Sequence, residues 1–580
     1  MASEDVASLA VSERAGRAPV RFDTSQLVLY AFAALLCVLV ILPMTWLVIY
    51  SMSTPRTGAF TLNNFRTLFT EPAFVDPLII TFTIAVCSSV ICCAVAAPMG
   101  WLVARTDLPF SRVIRALVTA SFVTPPFLGA IAWELLAAPN SGLLNKFYRF
   151  LTGAPQDEYL FNIYTLPGLI FVISCYTFPY VFVLIANSLD RMPGDLEDAS
   201  SILGGRAWTT ARRITIPLAL PALLAGAIVA FLQATTLFGS PAILALPAGF
   251  HTMTTKIWSL FQYPPKPELA AAASLPLLII TVMLLRAEHF ILGRRGYSVV
   301  AGKQSSPRLI PLGRLKFVAL GACFFVLLLP VILPYGALIN AAFAPIATTP
   351  LTFANATLRN FNFVFFELSA TKPVLKNTFI LGALAATIGT VLAVVIAYLT
   401  TRKAVRGYRI LAFLATAPIA IPGIVLGVGL FLSYTRPPFV LYGTIWVLLL
   451  AYLTIELPAA YQQLQSAFRA VHPELEDASR ILGATRLQAL RQITAPLLRT
   501  SVIATWCFVF VSVIRELSAA IILFTSETKV VSVLIFDLKE SGDLGAIAVL
   551  GLLMLLLTFA VVIFVNRIPG FGSAVRLRNT

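Results

Sequence analysis

Charged side chains are scarce in this sequence of 580 residues, where Asp, Glu, Lys and Arg together account for 12%. Soluble domains carry about 25% charged residues, so about half of the usual charge is missing. Hydrophobic residues make up 58% of the chain. This balance excludes a set of ordinary soluble domains and predicts that much of the surface faces lipid.

Histidine is rare, and the cysteines form no pattern. The three histidines, His251, His289 and His472, are far apart, and the seven cysteines all lie inside apolar runs without metal-ligand spacing. We interpret these cysteines as small buried hydrophobic residues. The sequence therefore predicts no metal centre, no cofactor site and no catalytic cluster.

What the chain has in excess is positive charge, +16 in total. Strongly basic chains often bind nucleic acid, but here the Lys and Arg residues fall in short segments between apolar runs and form no basic stripe. This distribution excludes a nucleic-acid-binding surface and is typical of the cytoplasmic loops of a membrane protein.

Twelve apolar runs are long enough to cross a bilayer, for which a helix needs about 20 residues. They predict an all-α polytopic membrane protein with about 12 transmembrane helices. We interpret the first run as a retained span, because no small-residue cleavage site follows it. Prolines in the third and ninth runs (Pro125, Pro126, Pro418 and Pro422) predict breaks that neighbouring helices accommodate. The runs lie near 27–51, 78–103, 114–137, 164–188, 218–246, 270–292, 317–343, 377–400, 410–434, 440–463, 499–524 and 544–566.

The distribution of Lys and Arg predicts the orientation of these spans. With the N-terminus in the cytoplasm, 29 of the 42 Lys and Arg residues fall in cytoplasmic segments and 12 in outer segments. The remaining one, Arg515, falls inside the eleventh run. Because cytoplasmic loops carry the excess of positive charge, both termini are predicted to be cytoplasmic.

One stretch of the chain occurs twice. Residues 197–217 and 476–496 are identical at 11 of 21 positions, at a constant offset of 279. These stretches follow the fourth and the tenth runs, so each belongs to a half of six runs. The repeat therefore predicts two homologous six-helix halves in parallel orientation, related by a pseudo-twofold axis along the membrane normal.

The repeat continues upstream with a different offset. There, Arg105 aligns with Arg402 and Pro125 with Pro422, at an offset of 297. The difference of 18 residues predicts an insertion in the first half, in the outer loop near 139–162.

Each copy of the repeated loop has the features of a short helix that ends at a glycine. Acidic residues in the first turn, such as Asp195 and Glu474, complement the positive end of a helix. Gly204 and Gly483 are placed to end it in the left-handed conformation. A single copy fits an ordinary amphipathic connector, whereas two near-identical copies in equivalent cytoplasmic loops favour a shared docking function.

The pattern Glu-x-Ala-x(4)-Gly in both copies resembles the EAA loop of binding-protein-dependent ABC importer permeases. Asp198 and Asp477 stand where the name of the loop has its first alanine. The resemblance covers nearly the whole chain and implies the type I ABC importer permease fold. It implies that each loop forms a coupling helix seated in a groove of the ATP-hydrolysing subunit. The implied docking residues are Glu197, Ala199, Gly204, Glu476, Ala478 and Gly483.

The same resemblance implies the setting and the partners. The chain is expected in the bacterial inner membrane, with two copies of an ABC ATPase and an extracytoplasmic substrate-binding protein. The fused twelve-span layout is most similar to the ferric-iron permease branch, and the segments 238–242 and 516–520 look like its paired segments after the loop. Ferric iron is therefore the favoured cargo, moved by alternating access, with thiamine, phosphonate, sulfate and polyamine as alternatives.

The expected organisation is two permease halves with a linker between them and a cytoplasmic tail at each end. The predicted segments are 1–26, 27–295, 296–316, 317–567 and 568–580, with EAA loops near 190–217 and 469–496.

The sequence has no phosphate-binding loop of the form G-x-x-x-x-G-K-[ST]. The nearest approach, Gly296 to Gly302 followed by Lys303, has one residue too many between its glycines and Gln304 where a hydroxyl is needed. We therefore expect ATP hydrolysis on a separate subunit and no enzymatic activity in this chain.

Ionisable residues inside apolar runs are costly and usually face the protein interior. Arg515 and Glu516 in the eleventh run and Glu456 in the tenth are the leading cases. Two interpretations stay open: these residues line a translocation path or gate, or they form a buried structural ion pair. The candidate path residues are Gln233, Thr235, Thr236, Glu456, Arg515 and Glu516.

Two other classes of membrane protein fit the pattern less well. An ion-coupled secondary transporter would not need two docking loops and would concentrate acidic residues at the midplane. A receptor or scaffold would carry a folded extramembrane domain, for which the segments between the runs are too short. Glu134, near the outer end of the third run, is expected at the membrane interface.

Overall fold

The computed structural model describes residues 24–55, 57–192, 194–205, 207–293 and 309–567. Within these ranges, β pairing is limited to two isolated bridges, and ten helices are long and apolar enough to cross a membrane. Two bent helix pairs complete a set of twelve. We number the set in chain order as spans 1 to 12: Leu29–Ser51, Pro72–Arg105, Ser111–Val123 with Pro126–Ala137, Leu166–Asp190, Ala211–Thr236, Pro267–Glu288, Leu315–Phe343, Thr371–Thr401, Tyr408–Ala420 with Gly423–Tyr434, Ile445–Ala470, Leu490–Ile514 and Leu544–Val565.

Shorter helices join the spans. Spans 5 and 11 each begin with a π-helical turn, Ala211–Thr215 and Leu490–Thr494, at the offset of 279 that the sequence repeat predicts. The short helices are Asn63–Thr70, Leu143–Thr152, Asp195–Ile202, Ala207–Thr210, Gly239–Leu244, Met253–Ser259, Arg359–Asn362, Glu474–Ile481, Arg486–Ala489, Ala520–Leu523 and Val531–Ser541.

The two halves repeat in structure as well as in sequence. The backbone N–H of Met253 donates to Thr81 Oγ1 over 2.7 Å, and Val531 donates to Thr378 Oγ1 over 2.9 Å in the second half. The predicted insertion is also confirmed: 28 residues (138–165) join spans 3 and 4, whereas 10 residues (435–444) join spans 9 and 10. The extra residues contain the helix Leu143–Thr152.

Spans 3 and 9 are sharply bent, by 99° and 109°. The chain is extended at Pro125 in one and at Pro422 in the other, so the predicted breaks at these prolines are confirmed. Proline has no N–H to donate to the preceding turn, which explains why the helices end there. Pro126 then opens the second arm of span 3, a position that proline favours.

Each bent span crosses the molecule alongside the first span of the other half. The early part of span 1 packs against the first arm of span 9, and its late part packs against the second arm. Span 7 follows span 3 in the same way, and the hydroxyl groups of Tyr335 and Thr124 lie 2.7 Å apart at the bend. Because each bent pair follows a full span from end to end, both pairs are broken spans rather than re-entrant loops.

Spans 5 and 11 begin and end earlier in the chain than predicted. The apolar runs 218–246 and 499–524 continue past the helix ends at Thr236 and Ile514, and the remaining residues form breaks and short helices. Arg515 and Glu516 therefore lie in the break after span 11, and their prediction inside a span was wrong. The break is compatible with burial because Glu516 accepts hydrogen bonds from the N–H groups of the following turn.

The main hydrophobic core runs through both halves and takes residues from all twelve spans. Leu36, Leu128 and Tyr452 are among its largest fully buried side chains in the described residues. A second, smaller cluster lies between spans 2, 3, 4, 5 and 7, near the repeated loop of the first half. The continuous packing of the main core makes the two halves one body.

Candidate functional site

Both repeated loops fold as predicted, each as a helix of eight residues closed by a glycine. The helices are Asp195–Ile202 and Glu474–Ile481. Gly204 and Gly483 follow them with φ of +79° and +96°, and a Cβ at either position would meet no atom within 4 Å. These glycines are therefore required by the left-handed backbone and not by crowding.

Each loop presents an apolar tip. Ile202 and Leu203 are 84% and 87% exposed, and Ile481 and Leu482 are 85% and 89% exposed. Ala199 and Ala478 are exposed beside them on the same helices. Two pairs of large aliphatic side chains thus project from the molecule at equivalent places.

The loop glutamates point the other way, into the protein. Glu197 is 6% exposed, and its carboxylate lies 2.6 Å from the guanidinium of Arg105, which is fully buried at the end of span 2. Thr215, at the start of span 5, donates to the same carboxylate over 2.8 Å. Predicted as a docking residue, Glu197 therefore joins three elements within the chain, and its role toward a partner stays a prediction.

The second half repeats this arrangement. Glu476 accepts from Arg402 Nε over 3.0 Å and from Thr494 over 2.9 Å. Arg402 also donates to the carbonyl of Val471, just as Arg105 donates to that of Met192. Arg105 and Arg402 align in the sequence at the offset of 297, which was a usable signal, but the sequence did not reveal their partner.

Both loops lie on one face of the molecule. Glu134, near the far end of bent span 3, accepts from Lys539 over 2.5 Å, and Lys539 lies beyond the far end of span 11. Span 11 starts at the second loop, and span 3 starts just after Arg105, at the first loop. Since the far ends of these spans meet, their loop ends share the opposite face.

Glu134 itself, expected at the membrane interface, is buried between the halves, which the sequence did not predict. Its side chain is 7% exposed and also accepts from the hydroxyl of Tyr164 over 2.9 Å. Burial, and then the charge and hydrogen bond of Glu134, raise the pKa of Tyr164, so that this hydroxyl stays a donor. The bend of span 3 turns its second arm into the protein, which the hydropathy pattern could not reveal.

The segments after spans 5 and 11 meet at the centre of the molecule. A Cβ on Gly239 would lie 2.6 Å from Phe127 and 3.4 Å from Leu517, the residue that aligns with Phe238. Gly423 in turn lies against Ser518 and Glu516. The breaks in spans 3 and 9 therefore face the breaks after spans 5 and 11, and four interruptions of helical backbone converge here.

Arg515 occupies this junction. Its NH1 donates to the carbonyls of Phe122 and Val123, over 2.8 and 3.2 Å, at the end of the first arm of span 3. A cation is favourable at the carbonyl end of a helix. Arg515 thus ties the break after span 11 to the bend of the other half.

The two neighbouring acids lie behind Arg515. Glu516 accepts from the N–H groups of Ala519 and Ala520, and Glu456 is buried in span 10 beside Ser512 and Arg515. The structure therefore brings Arg515, Glu516 and Glu456 together, and their role in a translocation path stays a prediction.

The other candidate path residues belong to the first half. Gln233 is half-buried near the end of span 5. Thr235 and Thr236 donate to carbonyls one turn back in their own helix, over 2.8 and 3.0 Å. Their hydroxyls are thus already used within span 5, and neither residue lines the cavity described next.

A cavity of about 780 Å³ leads from the loop face to Arg515. The first arm of span 3 forms one wall, and spans 10, 11 and 12 form the rest. Seven of its eight polar lining side chains come from the second half, and the aligned positions of the first half include Val183, Leu184 and Ala222. The polar residues that line it are Gln462, Gln463, Ser466, Ser501, Thr505, Ser512 and Arg515, with Thr119 from the first half.

A polytopic membrane protein with two equivalent loops on one face, and above them a cavity with polar side chains on an otherwise apolar lining, has an arrangement suited to transport. The family model of the binding-protein-dependent transport system inner membrane component matches residues 96–294 and 389–569. These two matches cover more than half of the chain, which therefore belongs to this family.

Curated relatives extend the match across both halves. The chain is 26% identical to the ferric transport system permease protein FbpB of Actinobacillus pleuropneumoniae over 454 residues, 77% of this chain and 64% of that protein. It is 26% identical to the putative ferric transport system permease protein FbpB 1 of Haemophilus influenzae over 414 residues, 70% of this chain and 64% of the relative. The molybdenum transport system permease protein ModB of Mycobacterium tuberculosis is 26% identical over 221 residues, 38% of this chain and 81% of the relative. The alignments thus span less than two thirds of the length of the two ferric relatives.

Proposed function

We propose that this chain is the complete pore of an ABC importer, and that the two repeated loops each dock one copy of a separate ATPase. The observation that carries the proposal is the pair of apolar tips on one face, Ile202 with Leu203 and Ile481 with Leu482. An exposed aliphatic side chain gains about 1.5–3 kcal/mol when a partner buries it. Two equivalent tips therefore fit two equivalent grooves, as two ATPase copies would offer.

The loop face is assigned to the cytoplasm. The excess of Lys and Arg on that side supports this orientation, and it places both termini there too. The opposite face, with Lys539 and the helix Leu143–Thr152, would then receive an extracytoplasmic substrate-binding protein. The halves near 27–295 and 317–567 would each hold one ATPase through its own loop.

Ferric iron is the favoured cargo. The support is the ferric transport function of two relatives that match both halves. The molybdenum permease matches a shorter stretch and makes an oxyanion the second choice. Selection between these cargoes is assigned to the binding protein, which meets the solute first.

The cavity below Arg515 is assigned to the cytoplasmic half of the translocation path. The eight polar side chains on its otherwise apolar lining support this, because a path for a charged solute needs hydrogen-bonding groups in place of water. Within the predicted path set, Arg515 is the residue that lines the cavity, while Glu516 and Glu456 hold the junction behind it. Alternating access would then separate the four converging breaks.

Co-purification tests the docking. The variant Leu203→Asp/Leu482→Asp should fold normally in detergent, since both side chains are exposed, but should lose the ATPase in pull-down from membranes. The matched control is Phe353→Asp, which changes an equally exposed apolar side chain on the opposite face and should keep the ATPase. Retention of the ATPase by the double variant would overturn the docking assignment.

Uptake tests the cargo. Vesicles that contain the chain, the ATPase and the binding protein should accumulate radioactive iron when ATP is present, and molybdate should not compete. Accumulation of molybdate without iron would replace the favoured cargo with the oxyanion.

A further inference from the structure

We propose that Arg105 and Arg402 are the positioning residues that make each docking loop move together with the fifth span of its half. Each arginine acts through one loop glutamate, Glu197 or Glu476, and touches neither cargo nor ATPase. This inference rests on the proposed function. It adds the contacts through which a motion of the ATPase would be transmitted to the membrane spans.

The observation is a carboxylate at the meeting point of three elements. Glu197 belongs to the docking helix, Arg105 ends span 2, and Thr215 lies in the π-helical turn that begins span 5. The distances from the carboxylate are 2.6 Å to Arg105 and 2.8 Å to Thr215. A single side chain therefore fixes the docking helix to two spans at once.

The second copy argues against an accident of packing. Arg402, Glu476 and Thr494 repeat the arrangement with distances of 2.9 Å and 3.0 Å for the two guanidinium contacts and 2.9 Å for the hydroxyl. The remaining guanidinium contact goes in both halves to the backbone just before the docking helix, at Met192 and Val471. All three side chains are kept in two halves whose sequences otherwise diverge widely.

The described apolar side chains of the docking helices contribute little to their attachment. Those at the tips are exposed, and Leu475, near the start of the second helix, is 46% exposed. Apolar contacts usually fix a helix to its neighbours, and here these side chains do not make them. The buried ion pair holds the docking helix instead of apolar contacts. Removing one of its charges would leave the other buried without a partner.

The attachment to span 5 gives the motion a direction. A helix rises about 1.5 Å per residue, so the 26 residues of Ala211–Thr236 reach from the loop face deep into the protein. The span ends at the break where Gly239 meets Leu517. A displacement of Glu197 that pulls Thr215 therefore moves one end of a continuous helical span whose other end borders the junction. Span 11 is attached in the same way at Thr494.

A double-mutant cycle on the second half tests the inference. The assembled transporter in vesicles would carry Arg402→Gln, Glu476→Gln or both, and the measured quantity is cargo taken up per ATP hydrolysed. Each single variant leaves one buried charge unpaired and should lower this ratio about tenfold, whereas the double variant pairs two neutral amides and should recover most of it. The matched control is Arg406→Gln, the same change at an exposed position on the same face, which should leave the ratio unchanged.

The outcomes separate the two proposals. Additive losses, or single variants with the ratio of the unmodified transporter, would overturn the positioning role. If the single variants fail to assemble, Thr494→Val serves instead: it removes one hydroxyl contact to Glu476 and should lower uptake per ATP while the ATPase stays bound. An unmodified chain that binds no ATPase at all would contradict the proposed function and would leave the ion pair to a purely structural role.

Discussion

Lys539 of the second half donates to Glu134 of the first half, on the face opposite the repeated loops. The two side chains are 18% and 7% exposed, and one oxygen of Glu134 is buried without a hydrogen-bond partner among the described residues. This pair joins the two halves at their ends opposite the repeated loops, in the state that the structure represents.

Removal of Lys539 should destabilise the outer contact between the halves. Lys539→Ala leaves the carboxylate of Glu134 buried with the hydroxyl of Tyr164 as its donor, and loss of one partner of a buried ion pair costs about 3–5 kcal/mol. Thermal unfolding of the purified chain in detergent should show a clear fall in midpoint. Lys372→Ala, which removes an exposed lysine, is the control, and an equal midpoint for both variants would contradict the prediction.

The glycines that close the docking helices should tolerate no side chain. Gly483→Ala places a Cβ in a left-handed backbone, which costs about 1–2 kcal/mol, and the loop would relax to another conformation. We expect the affinity of the ATPase for the chain to fall about tenfold, as measured by binding in detergent or nanodiscs. Gly153→Ala carries the same strain on the opposite face, with φ of +69°, and should bind the ATPase normally.

Arg515 and Glu516 should differ in transport although they are neighbours. Arg515→Gln removes the charge that lines the cavity and should abolish uptake, while the amide can still donate to Phe122 or Val123. Glu516→Gln keeps an oxygen acceptor for the following turn and should retain most of the uptake. Initial uptake rates at matched expression measure the difference. Equal loss in both variants would place Glu516 on the path as well.

One buried asparagine holds together the loop that is inserted between spans 3 and 4 of the first half. Asn145 is fully buried, donates to the carbonyls of Ala138 and Phe161, and accepts from the N–H groups of Leu160 and Phe161. Asn145→Ala removes these hydrogen bonds. The carbonyl of Ala138 keeps the N–H of Gly142 as a donor, and each other buried group that loses its partner costs about 1–3 kcal/mol.

The expected result is faster proteolysis of the outer loop 153–161 in right-side-out vesicles. Asn140→Ala, a change of the exposed asparagine in the same loop, should leave the rate unaltered. Equal rates in both variants would show that Asn145 does not hold the loop.

The sequence predicted the spans and the repeat well. The bilayer thickness sets the length of the apolar runs, and the repeat is visible as identical residues at an offset of 279. The breaks after Thr236 and Ile514 escaped prediction because apolar residues stand on both sides of each break. The inward turn of Glu197 was also hidden, since its partner Arg105 lies 92 positions earlier and only folding brings the two together. Pattern predicts length and periodicity, whereas contacts between distant segments depend on packing.

The first spans are exchanged between the halves, with span 1 on span 9 and span 7 on span 3. Such reciprocal packing would hold the halves together even if the covalent connection between them were cut. The covalent connection fixes the ratio of first halves to second halves in the assembly. Two separate genes could yield assemblies of two first halves, which would lack Arg515 and the polar wall of the cavity. A single polypeptide guarantees that each transporter contains one half of each kind.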